Sequence, residues 1–132
     1  MNGFDVRTTR REELVEVTAQ VQSAVTAQAV LDGAVLVYVP HTTAGVTINE
    51  DADPSVRNDI VTALERLVPA TLPFTHAEGN ADAHVKASLV GSSVIVPLTG
   101  GRLQLGTWQG IFFAEFDGPR RRHVLVRVLA GA

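Results

Sequence analysis

No cysteine occurs among the 132 residues. Disulfides and thiolate metal sites are therefore excluded, and any transition metal would have to be held by nitrogen and oxygen ligands. Long apolar runs are missing too. The longest, Ala34 to Pro40, is far short of the roughly 20 residues of a membrane-spanning helix. The start, Met1 to Glu13, is polar, so the expectation is a soluble, cytoplasmic protein with no membrane partner. Broad positive charge is also lacking. The formal charge is −3, and four arginines and one aspartate between Asp117 and Arg127 leave −6 on all other residues. An acidic body with one cationic edge argues against nucleic-acid binding and admits a small anionic ligand. With no internal repeat and no low-complexity stretch, the chain reads as a single domain over 1–132, long enough to bury about two-thirds of its unfolded surface.

The patterning predicts an α+β fold. Phe4 to Thr9 and Glu13 to Thr18 alternate as two strands around the turn Arg10-Arg11-Glu12. Thr18 then caps a helix with Val21, Ala24, Val25 and Ala29 at helical spacing, stopped at Asp32-Gly33. Ala34 to Pro40 is apolar on both faces, which predicts a central, doubly covered strand, and Val46 to Ile48 is a shorter one. Asp53-Pro54 opens a helix with Val56, Ile60, Ala63, Leu64 and Leu67 as its buried stripe. Asp82 is a candidate cap for a short helix through Val90 that stops at Gly91. Strands follow at Ser93 to Pro97, Gly110 to Asp117 and Arg122 to Leu129, with Thr99-Gly100-Gly101 turning a hairpin into Arg102 to Leu105. Because Ile111-Phe112-Phe113-Ala114 is apolar on both faces and two short helices look insufficient as cover, a β-sandwich whose subunits cover one another's sheets is expected.

Chemistry concentrates in Thr75-His76-Ala77-Glu78-Gly79-Asn80-Ala81-Asp82-Ala83-His84-Val85-Lys86. Two imidazoles, two carboxylates, an amide and an amine crowd around one glycine there. His41 opens a second polar segment, His41-Thr42-Thr43-Ala44-Gly45. His41, His76 and His84, with carboxylates nearby, form a candidate metal set that leaves one position open. The alternative is that His41 and His84 only satisfy backbone groups. His123, inside an alternating strand beside arginines, reads as structural. Glu50, Glu78 and Asp82 are candidate bases or ring-orienting carboxylates, against the plainer roles of turn residue for Glu50 and helix cap for Asp82. Arg120 and Arg122, with Lys86 and the amides near Asn80 and Asp82, are candidate phosphate grips, against a solvated hairpin. Trp108-Gln109 either meets a ligand ring or plugs the sandwich.

Five blocks, His41-Thr42-Thr43-Ala44-Gly45-Val46-Thr47-Ile48-Asn49-Glu50, Asp53-Pro54, His76-x-Glu78-Gly79-Asn80-Ala81-Asp82-Ala83-His84, Gly106-Thr107-Trp108-Gln109 and Glu115-x-Asp117-Gly118-Pro119-Arg120, resemble the YjbQ family, also called the secondary thiamine-phosphate synthase family. The resemblance runs nearly end to end; the loop from Val68 to Pro73 is outside it. It implies a two-sheet α+β sandwich with two to three short helices, assembled as a homotrimer. It also implies a secondary activity that joins a pyrimidine diphosphate to a thiazole phosphate with release of diphosphate. On that basis the expected site comprises metal ligands His41, His76 and His84, catalytic carboxylates Glu50, Glu78 and Asp82, and substrate contacts Asn80, Lys86, Gln109 and Arg120. The expected cofactor is a divalent ion, zinc in first place, with magnesium as the choice for a diphosphate substrate. A metal-dependent hydrolase and a non-catalytic trimeric metabolite-binding module are the alternatives.

Overall fold

A computed structural model describes residues 2–131. Eleven elements follow one another: β1 (Gly3–Arg7), β2 (Glu13–Glu16), α1 (Thr18–Ala27), β3 (Gly33–Tyr38), β4 (Ala44–Glu50), α2 (Pro54–Leu67), α3 (Ala81–Val90), β5 (Ser93–Thr99), β6 (Arg102–Leu103), β7 (Gln109–Glu115) and β8 (Arg121–Ala130). The fold is α+β with two sheets and three helices. The larger sheet runs β1-β8-β3-β5-β6 and the smaller β2-β7-β4, and the pairs are antiparallel throughout. As predicted, β3 is central, lying between β8 and β5.

The alternation of side chains along each strand sets the layers. Val35 and Val37 of β3, Val124 and Val126 of β8, and Val96 and Leu98 of β5 face Val46, Ile111 and Phe113 of the smaller sheet in one core, which α1 closes with Val21 and Val25. The other face of the smaller sheet, Leu14, Phe112 and Ala114, packs under Ala83 and Ala87 of α3 and Ile60, Val61 and Leu64 of α2. Cover for the Ile111 to Ala114 run thus comes from the second sheet on one side and two helices on the other. The expectation that two short helices would not suffice is corrected here, because both faces of β7 are buried within one chain. It is β3 that lacks its outer cover, with Leu36 half-buried and Tyr38 exposed.

Several local expectations shift. Thr18 does not cap α1; Val17 holds that position without a side-chain bond, while the Thr18 hydroxyl donates to Glu16 and accepts from the Ile111 amide. Ala29 leaves the helix with a positive φ of 56°. Asp53 caps α2 as expected, accepting from the Ser55 amide. Its stripe is shallower than predicted, because no α2 residue is fully buried and Leu67 is 70% exposed. Gly100 and Gly101, with φ of 58° and 76°, supply the left-handed conformations of the hairpin turn between β5 and β6.

Candidate functional site

The end of the molecule where β7 runs out and β8 begins gathers most of the polar chemistry. Glu115, the last residue of β7, is fully buried. Its carboxylate accepts from Arg122 Nε at 2.9 Å, from the Thr8 hydroxyl at 2.8 Å and from the Asp117 amide at 3.0 Å. Arg122, itself buried, also donates to the Thr43 hydroxyl at 2.9 Å. One buried ion pair therefore ties β1, the segment after His41, β7 and β8 together. Sequence reasoning missed this role: Arg122 was weighed as a phosphate grip, yet its guanidinium is occupied. The available signal was a lone carboxylate ending the apolar run Ile111 to Ala114, which a buried strand tolerates only with a partner.

His41 sits beside this knot. Its Nε2 accepts from the His123 amide at 2.9 Å. Burial, followed by the repulsion of Arg122, holds its pKa below the ordinary value, so the ring is neutral near pH 7. Gly45 shows why this segment is built from small residues, since a side chain there would collide with the Gly91 carbonyl at the end of α3. That carbonyl accepts from the Val46 amide at 3.1 Å.

The His76 to Lys86 segment divides into an outer and an inner part. Outside, the His76 and His84 rings meet edge to face with centroids 5.2 Å apart, and Glu78 lies 3.6 Å from His76 Nε2. Asn80 is the N-cap residue of α3 but makes no side-chain cap bond. Its Nδ2 instead donates to Asp117 at 2.8 Å, and its Oδ1 is buried with no partner. Arg120 also donates to Asp117, 3.0 Å from Arg120 Nη2, and stays about half exposed. Burial raises the Asp117 pKa, but the hydrogen bonds from Asn80 and Arg120 outweigh it and the carboxyl stays below its usual range.

Inside, two expected site residues are withdrawn from any ligand. Asp82 is neither a cap nor an open base: Arg11 donates to it at 3.0 and 3.2 Å and Lys86 at 3.0 Å. Burial opposes ionisation there, yet these bonds hold its pKa below the ordinary value. Lys86 is 1% exposed and held between Asp82 and Glu12, so it is not placed to grip phosphate. A lysine this deep needs carboxylate partners to offset the loss of water around it. Glu12 carries the strain of the cluster, with burial first, and then Glu65, pushing its pKa up against the pull of Lys86.

Glu50 and Gln109 are cross-strand neighbours, but at the other end of β7 from Glu115, roughly 20 Å away along an extended strand. Gln109 closes its own turn, accepting from the Gly106 amide at 2.8 Å. Trp108 beside it is 63% exposed, so it does not plug the sandwich. The expected set is therefore split, with His41, His76, Glu78, Asn80, His84 and Arg120 toward one end and Glu50 and Gln109 at the other.

The candidate metal ligands His41, His76 and His84 differ in what their ring nitrogens offer. His76 and His84 offer two imidazoles, whereas the His41 Nε2 lone pair is engaged by a backbone amide. Among the described residues no three histidine, aspartate or glutamate side chains group so as to hold a metal ion. The three-histidine set does not fit within one chain.

The order of the sequence blocks, now joined to this fold, matches a known family. The model described as UPF0047 protein YjbQ-like matches residues 2–131. The chain belongs to the YjbQ family. A UPF0047 protein of Methanocaldococcus jannaschii is 55% identical over 126 residues, 96% of this chain and 91% of that protein. YugU of Bacillus subtilis is 45% identical, with 98% of each chain covered. Among solved structures, a YjbQ/UPF0047 family protein of Clostridium acetobutylicum superposes with a TM-score of 0.95 at 46% identity, covering 98% of this chain and all of that one. A YbjQ-like protein of Sulfolobus solfataricus, titled as of unknown function, gives 0.93 at 35% identity, over 98% and 95% of the two chains. Among the described residues, no helix of this YjbQ-family chain is long and apolar enough to cross a membrane.

Proposed function

We propose that this YjbQ-family protein is an enzyme acting on a phosphorylated small molecule at the outer wall formed by His76, Glu78, Asn80, His84 and Arg120. The observation that carries this reading is Asn80. One end of its amide is fixed on Asp117 while the other, a buried acceptor, has no partner. Buried acceptors are nearly always satisfied, so an orphan beside two imidazoles and a half-exposed arginine points to a donor arriving from outside. Arg120 supplies the fork for a phosphate oxygen, and Asp117 holds that fork in place. His84 and His76 supply imidazoles that can relay a proton.

A thiamine-phosphate-synthase-like transfer fits as a secondary activity: the attacking ring nitrogen displaces diphosphate, and Arg120 absorbs the charge that develops on it. The test is a two-substrate assay in which product forms only when the pyrimidine diphosphate and the thiazole phosphate are both present. Arg120→Ala and Asn80→Ala should each reduce the rate at least tenfold. Turnover of one substrate with water would favour a hydrolase, and tight binding without turnover a metabolite-binding module.

Zinc on the two histidines, or magnesium arriving with a diphosphate, belongs to this reading as its cofactor; elemental analysis of purified protein tests it. A homotrimer, located in the cytoplasm, completes the proposal. Its support is the uncovered face of the larger sheet, where Tyr38, Ile95 and Leu129 are exposed around a hollow of about 310 Å³ lined by Leu36, Tyr38 and Leu125. Light scattering on the native chain reads the mass directly.

A further inference from the structure

A polar hollow of about 410 Å³ opens between α2 and the start of β2, and none of His76, Glu78, Asn80, His84 and Arg120 lines it. Arg57, Val61 and Glu65 do. Their spacing puts the three in line along one face of the helix.

Arg57 stands at one end. Its guanidinium carbon is 4.8 Å from the centre of the buried Phe112 ring, and its Nε is buried with no partner. The residue is half-buried and joins no ion pair among the described residues. A guanidinium has donors only, and leaving them unmet where water is scarce is costly, so this fork is short of an oxyanion. The middle of the hollow is apolar, made by Val61 and the buried Leu14. At the other end Glu65 is exposed and lies within hydrogen-bonding reach of Glu12. Arg11 and Lys86 are set there against Asp82, Glu12 and Glu65, which leaves the group one cation short. The other charges on the rim do not erase this polarity. Glu13 is engaged by the Thr9 and Arg10 amides at 2.6 and 3.1 Å, and Arg10 is exposed to solvent.

The hollow is thus positive at one end, apolar in the middle and acidic at the other. Arg57 and Glu65 are just over two helical turns apart, roughly 12 Å along the axis. A hydrogen bond of about 3 Å at each end leaves about 6 Å between the charged groups of a bridging ligand, the span of a short aliphatic chain. We propose that this hollow binds a linear aliphatic zwitterion, with its carboxylate on Arg57, its methylenes over Leu14 and Val61, and its primary ammonium on Glu65 and Glu12.

The test is calorimetry on the full chain near neutral pH with δ-aminovalerate, and with valerate, pentylamine and free glycine for comparison. δ-Aminovalerate should bind saturably. Valerate and pentylamine each lack one charge and should bind about tenfold more weakly. Glycine, too short to reach both ends, should bind no better than they do. Glu65→Gln changes an exposed side chain, keeps the fold, and should weaken δ-aminovalerate about tenfold while leaving valerate unaltered. Arg57→Gln should weaken δ-aminovalerate and leave pentylamine unaltered, with thermal unfolding as the check that the chain is folded. Arg120→Ala should leave binding as it is, which separates this hollow from the phosphate wall. Equal binding of valerate or pentylamine, no loss in Glu65→Gln, or no binding of δ-aminovalerate would overturn the proposal.

Discussion

The two sheets solve the same problem in different ways. The smaller sheet is covered on both faces within one chain, by the larger sheet inside and by α2 and α3 outside. The larger sheet is covered on one face only and leaves Ile95, Tyr38 and Leu129 in the open. Charge follows the same division. Beside the covered sheet lie the buried pairs Glu115–Arg122 and Asp82–Lys86, whereas the rim of the open sheet carries the exposed pair Asp5–Arg121. Burial converts an ion pair from a minor surface feature into a tie that is costly to break, because a lone charge left inside has no water to replace its partner.

The largest expected effect lies in the knot beside the covered sheet. Arg122→Met leaves Glu115 buried without its cation and should cost about 3–5 kcal/mol, read by denaturant unfolding. Phe112→Ala, which empties space between β7 and the two helices, should cost a similar amount, about 3–5 kcal/mol. If either change proves neutral, the distinction between the two sheets fails.

Lys86→Met sharpens the comparison, since Asp82 keeps its bonds from Arg11 while Glu12 keeps only the longer 3.8 Å approach of the same Arg11. A smaller loss, about 1–3 kcal/mol, is expected, with a change in acid sensitivity. The Asp82 carboxyl titrates below its ordinary value of 3.8 in the folded chain. Its stabilising contribution is therefore present above that pH and is lost as pH falls through the folded value. Asp82→Asn should flatten unfolding stability against pH in that window, and an unchanged slope would show that the ion pairs around α3 contribute nothing.

On the open sheet the expectation reverses. Ile95→Asp should change the stability of the single chain by less than about 0.5 kcal/mol and yet reduce the mass of the proposed homotrimer to that of one chain. Asp5→Asn is smallest of all: loss of the exposed Asp5–Arg121 pair should change denaturant unfolding by less than about 0.5 kcal/mol.

Much of the architecture was legible in the chain because short-range rules decide it. The apolar run Ala34 to Pro40 marked the central strand, Asp53-Pro54 opened α2, and Gly100-Gly101 turned the β5–β6 hairpin. The site was legible only as a list of residues. His76, His84, Asn80 and Arg120 do come together, but Glu50 and Gln109 stand at the far end of β7, and Asp82 and Lys86 turn inward.

Composition and periodicity by themselves determined the fold class and the strand and helix order, since turn chemistry and side-chain spacing act over a few residues at a time; the family was carried by the resemblance of five sequence blocks. Only the tertiary structure decided which charges are paired. Arg11 with Asp82, Glu12 with Lys86 and His41 with His123 are joined across 71, 74 and 82 positions, and no local pattern encodes a partner that far away. It likewise decided that His41 Nε2 accepts a hydrogen bond, because the amide that donates to it belongs to another strand.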